Sequence, residues 1–93
     1  MGGDSVSGKS IDLVARDVAD GFVFVNPIFL KRFDQDLIKK LMAAMNKMMI
    51  LVRNEKFPAG DFDAIKTRNL KLSRLNNSIT VIKNFARERR WVL

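Results

Sequence analysis

Ninety-three residues, 47% hydrophobic and 29% charged with a net charge of +7, describe one small globular domain, well outside the composition of disordered chains. The chain has no cysteine and no histidine, which removes disulfides, thiol nucleophiles, cysteine-ligated zinc and the usual general base near neutral pH. Any metal would have only oxygen ligands, so a non-enzymatic protein without cofactor or metal is expected.

Charge is distributed unevenly. Residues 1–63 hold nine Lys/Arg against nine Asp/Glu, whereas residues 64–93 hold Lys66, Arg68, Lys71, Arg74, Lys83, Arg87, Arg89 and Arg90 against Glu88 alone. The whole excess therefore belongs to the C-terminal third and points to an anionic partner: nucleic acid, an acidic protein or an acidic lipid surface.

In chain order, residues 1–9 are rich in Gly and Ser and read as a flexible tail. Gly3 to Ser10 fits the G-x-x-x-x-G-K-[ST] pattern of a phosphate-cradling loop. Such a loop needs a β-strand before it and further strands around it, which a helix-patterned chain of this length does not supply. It is read as a chance match. The first residues also lack the basic and apolar regions of a secretory signal, and Val6 breaks a myristoylation pattern, so a cytoplasmic location is expected.

Residues 11–20 carry Ile11, Val14, Ala15 and Val18 at helical spacing, with Phe22 continuing the same narrow apolar stripe, Ser10 as N-cap and Gly21 as the stop. Phe22-Val23-Phe24-Val25 combines aromatic and β-branched residues. It reads as an apolar connector over the core, or as a strand that would have to pair with its copy in a second molecule. The apolar run 22–30 is too short and too interrupted by Asn26-Pro27 to span a bilayer, and membrane attachment is the weakest expectation.

Asn26-Pro27 opens the longest periodic stretch, predicted as a helix over 27–53. Leu30, Phe33, Leu37, Leu41, Ala44, Met45, Met48, Leu51 and Val52 form one band, with Arg32, Asp36, Lys39, Lys40 and Lys47 opposite. A short helix at 27–32 followed by a restart at Asp34 is the alternative. The Met-rich face (Met42, Met45, Met48, Met49) reads first as gap-filling core and second as an adaptable docking surface.

Residues 54–61, with Pro58 and Gly60, break the pattern, and Asp61 or Asp63 can cap the next helix. These two carboxylates are too few for a calcium site. A last helix is predicted over 62–90, with Ile65, Leu72, Leu75, Ile79, Ile82 and Ala86 on one stripe and Leu70, Val81 and Phe85 on a second patch. Asn76-Asn77-Ser78 signals a bend or a buried polar contact in its middle.

The pattern therefore predicts an all-α protein: a long antiparallel helical hairpin plus a short N-terminal helix, over residues 10–93. One short helix cannot cover the apolar surface of such a hairpin, so a homodimer completing a helical bundle is expected. The predicted function is a small interaction or regulatory protein that docks a protein partner, with phosphate-backbone binding by the basic third as the alternative. Phe22, Phe24, Met42, Met45, Met49, Leu70, Val81 and Phe85 are the candidate protein-interface residues. Lys83, Arg87, Arg89, Arg90 and Trp91 are the candidate anion or nucleic-acid contacts. No residue is assigned a catalytic, cofactor or metal role.

Overall fold

Each helix starts at a side chain that accepts an amide its first turn would otherwise leave unpaired. In the computed structural model, which describes residues 5, 6 and 9–92, Ser10 Oγ accepts from the Leu13 amide (3.2 Å) to open α1 (Ile11–Ala19). Asn26 Oδ1 accepts from Phe29 N (2.9 Å) ahead of α2 (Pro27–Leu30). Asp34 Oδ1 accepts from Leu37 N (2.8 Å) ahead of α3 (Gln35–Arg53), and Asp61 Oδ1 from Ala64 N (3.0 Å) ahead of α4 (Phe62–Glu88). The chain is mostly helical.

Two features depart from the sequence pattern. Ser5–Val6 (β1) pairs antiparallel with Lys9–Ser10 (β2), so part of the expected tail is a short ladder; residues 1–4, 7 and 8 lie outside the described residues. Half of the phosphate-loop lookalike falls among these, and its final Ser10 is engaged as the α1 cap. The predicted 27–53 helix is instead two helices, interrupted at residues 31–34. The interruption follows from Asp34, which caps α3 with extended backbone (φ −87°, ψ 179°), flanked by Phe33 and Ile38 at the positions of a hydrophobic staple. Both are buried in the core. The cap and the staple together outweigh continuation through Lys31 and Arg32.

Helices α1 and α4 end in the same backbone device. Gly21 takes φ 85°, its amide donates to Val18 O (3.1 Å), and Phe22 N donates to Asp17 O (2.8 Å). At the end of α4, Arg90 takes φ 59°, its amide donates to Arg87 O (3.0 Å), and Trp91 N donates to Ala86 O (2.9 Å). Both are Schellman closures, in which a left-handed residue lets two amides satisfy carbonyls of the last turn.

Helix α4 packs against both α3 and α1, α1 packs against α3, and α2 packs on α4. The shared core takes Val14 and Val18 from α1, Leu30 from α2, Ile38, Leu41, Met45 and Val52 from α3, and Leu75 and Ile82 from α4, with Phe33 between α2 and α3. Each such side chain stabilises by about 1.5–3 kcal/mol relative to leaving it in water. Ile38 and Met42 are buried within the single chain, in the core that α3 shares with α1 and α4.

The core is placed asymmetrically along α4, whose 27 residues span about 40 Å and define the long, 45 Å axis of the molecule. Every buried residue of α4 lies at Leu75 or beyond. Its first half is only partly covered, with Phe62 and Leu70 exposed and Leu72 half-buried against the core. The helix runs unbroken through Asn76-Asn77, with Ser78 buried and Thr80 Oγ1 donating back to Asn76 O (3.1 Å). Among the described residues, no helix is long and apolar enough to cross a membrane.

Candidate functional site

The connector between α1 and α2 alternates in a way its composition foreshadows. After the Gly21 closure the chain has period two: Val23 and Val25 pack against the core, while Phe22 and Phe24 face outward with 79% and 80% of their surface exposed. Ile28, in α2, is 77% exposed. Three hydrophobic side chains this open within seven residues form the most exposed apolar group of the connector. Residues 21–30 are also the longest uncharged run in the sequence. Phe24 and Val25 line a small groove against α4, with Val18, Arg74, Ser78 and Val81 on its other walls.

Arg74 anchors this region. Its Nη1 donates to Ala19 O (3.1 Å), satisfying a carbonyl at the end of α1. Lys71 Nζ lies 3.9 Å from both Asp20 Oδ1 and Glu55 Oε1, drawing the end of α1 and the 54–61 loop toward α4. These groups are partly exposed, so each ion pair contributes well under about 1 kcal/mol. Two of the excess cations thus serve the fold.

A second hollow lies between α1 and α3. Ser10, Leu13, Ala44, Met48 and Leu51 line it, with Asp12, Arg16 and Lys47 at its rim and a volume of about 400 Å³. It accounts for the partial exposure of Leu13 and Leu51.

The third candidate is the end of α4. Lys83, Arg87, Arg90 and Trp91 line one shallow hollow of about 400 Å³ with Ala86 and Val92. Lys83 and Arg87 are four residues apart on one helical face, and the Schellman closure brings Arg90 and Trp91 back beside them. Trp91 sets its ring edgewise to Phe85, with centroids 6.0 Å apart. Arg89 does not join the group: its Cζ sits 3.7 Å from the Phe85 ring centroid and 5.8 Å from that of Trp91.

Three candidate interface residues leave the surface. Met42, Met45 and Phe85 are core, because α1 and α4 flank that side of α3 and the C-terminal turn folds Trp91 over Phe85. Phe22, Phe24 and Leu70 are exposed, and Met49 and Val81 are half-buried. Phe24 and Val81 share the connector groove, whereas Leu70 stands apart on the first half of α4. Sequence reasoning placed Ile28 and Leu13 on no stripe and read Leu51 as part of the apolar band of the 27–53 helix, whereas all three are exposed. Asp61 acts as a cap, and among the described residues no group of three acidic side chains could hold a metal ion.

No protein-family profile, curated protein or solved structure matches this chain. Its own surface chemistry is what a functional reading has to rest on.

Proposed function

We propose that this protein is a small, non-enzymatic helical interaction module that works as a homodimer and docks a protein partner. In this reading α3 and α4 act as an antiparallel helical hairpin, and its cysteine-free composition suits a reducing cytoplasm. The observation that carries the proposal is the outward pair Phe22 and Phe24, close to Ile28 in an uncharged run. For a chain carrying +7, self-contact is easiest where no like charges meet, and this connector meets that condition. A two-fold axis through it would place each copy's phenylalanines on the other's, with extended backbone free to pair across the axis.

The three side chains offer on the order of 400 Å² of apolar surface per protomer. About 800 Å² in total lies at the low end for a specific interface, so a dissociation constant in the micromolar range is expected. The α1–α3 hollow around Leu13, Met48 and Leu51 is then left for the protein partner. Sedimentation velocity at roughly 50 µM should return a species of twice the 10.6 kDa protomer mass. The double variant Phe22→Ser, Phe24→Ser should return the protomer with an unchanged fold. A compact protomer at that loading, or a double variant that still dimerises, overturns the reading.

A further inference from the structure

We propose that the end of α4 is a binding site for single-stranded nucleic acid, in which Lys83, Arg87 and Arg90 hold the phosphates and Trp91 stacks on a base. These side chains line one hollow, and among the described residues no acidic side chain pairs with any of the three cations. The contrast within α4 is direct. Lys71 and Arg74 hold the end of α1, Arg68 lies over the Phe57 ring and Arg89 covers Phe85, which among the described residues leaves this group and the isolated Lys66 available.

Arg90 supplies the second observation. It occupies the left-handed position of a Schellman closure at φ 59°, where a residue with a Cβ costs about 1 kcal/mol relative to glycine. The same position in α1 is Gly21, at φ 85°. Closing the helix therefore requires the conformation and not the arginine. A strained backbone that keeps a cation at the rim of a basic hollow is accounted for by what the cation binds.

The aromatic beside the cations selects the ligand. Three cations and one indole around a concave hollow fit a phosphate chain with an unstacked base. A duplex reader would need a long basic face, whereas Lys66, Lys71 and Arg74 lie elsewhere on α4. The site is separate from the connector, so this inference stands or falls apart from dimerisation.

The test uses the intact chain and a labelled single-stranded dT oligonucleotide of about 12 nucleotides, which covers one small binding site. Trp91 is the only tryptophan, so its emission should quench saturably as anisotropy rises. Raising NaCl from about 50 to about 200 mM should weaken binding roughly tenfold to twentyfold, for three counterions released at about 0.7 each. Arg90→Gly should weaken binding by at least about threefold at low salt and reduce the salt slope by about 0.7. Its melting temperature should stay equal or rise, because glycine relieves the backbone. Lys83→Ala with Arg87→Ala should remove most of what remains.

An Arg90→Gly protein that binds like the parent overturns the proposal. So does binding without Trp91 quenching, or no binding at low salt. Sedimentation with phosphatidylserine vesicles in a protein that ignores the oligonucleotide overturns it in favour of a lipid surface.

Discussion

Truncating Leu41 tests the packing on which every surface assignment depends. Leu41 is fully buried in the core that α3 shares with α1 and α4. Leu41→Ala deletes three carbon groups at about 0.8 kcal/mol each, roughly 2.4 kcal/mol of transfer free energy. The cavity left behind adds to this, so the expected loss is about 3–4 kcal/mol. Total stability for a domain of this size is about 5–14 kcal/mol, so the variant loses a large share of it. Its melting temperature should fall by about 12–30 °C. Ile50, on the same helix but 56% exposed, is the internal control. Ile50→Ala should lose under about 1 kcal/mol, partly because alanine is the better helix former. Urea unfolding followed by far-ultraviolet circular dichroism, at concentrations too low for association, gives both values. Variants agreeing within about 1 kcal/mol would mean that this face of α3 is not inside.

Gly21→Ala should destabilise by about 1–2 kcal/mol, because φ 85° disfavours a side chain and the new Cβ would sit 3.0 Å from Arg74 Cζ. Since Arg74 must then give by a few tenths of an ångström beside Ala19 O, the effect should be non-additive with Arg74→Ala in a double-mutant cycle; simple additivity refutes the coupling. Arg89→Ala should cost about 1 kcal/mol through the lost contact with Phe85, and should shift Trp91 emission while leaving oligonucleotide affinity within twofold or so. An Arg89→Ala variant that loses binding as Arg90→Gly is expected to would contradict the separation of these neighbours. Melting curves, emission spectra and anisotropy titrations provide the measurements.

Signals acting through sequence neighbours were the legible ones. Ser10, Asn26 and Asp61 were readable as caps because a cap needs only an acceptor beside an apolar period, and Gly21 was readable as a stop. The interruption at residues 31–34 was ambiguous because Leu30 and Phe33 fit the helical period in either arrangement. Periodicity also tells which residues share a face, not which element covers it. Met42 and Met45 became core because α1 and α4 flank that side of α3, and Leu13 and Leu51 stayed half-open because among the described residues no element covers their hollow. The sorting of the basic residues was least accessible. Whether a cation serves the fold or faces solvent is decided by contacts such as Arg74 with Ala19, 55 residues apart, or by the turn that carries Arg90 back beside Arg87 while Arg89 settles on Phe85.

The lopsided core gives α4 two mechanical characters in one rod. From Leu75 onward it is clamped by two neighbours, so its amides there open only when the whole domain melts. Ahead of Leu75 it is held more lightly, by Lys71, Arg74, Arg68 over Phe57 and half-covered Ile65 and Leu72, and it frays and re-forms more cheaply. Whatever seats itself on Phe62 or Leu70 would therefore be felt first as stiffening of that arm, well away from the basic tip at the other end.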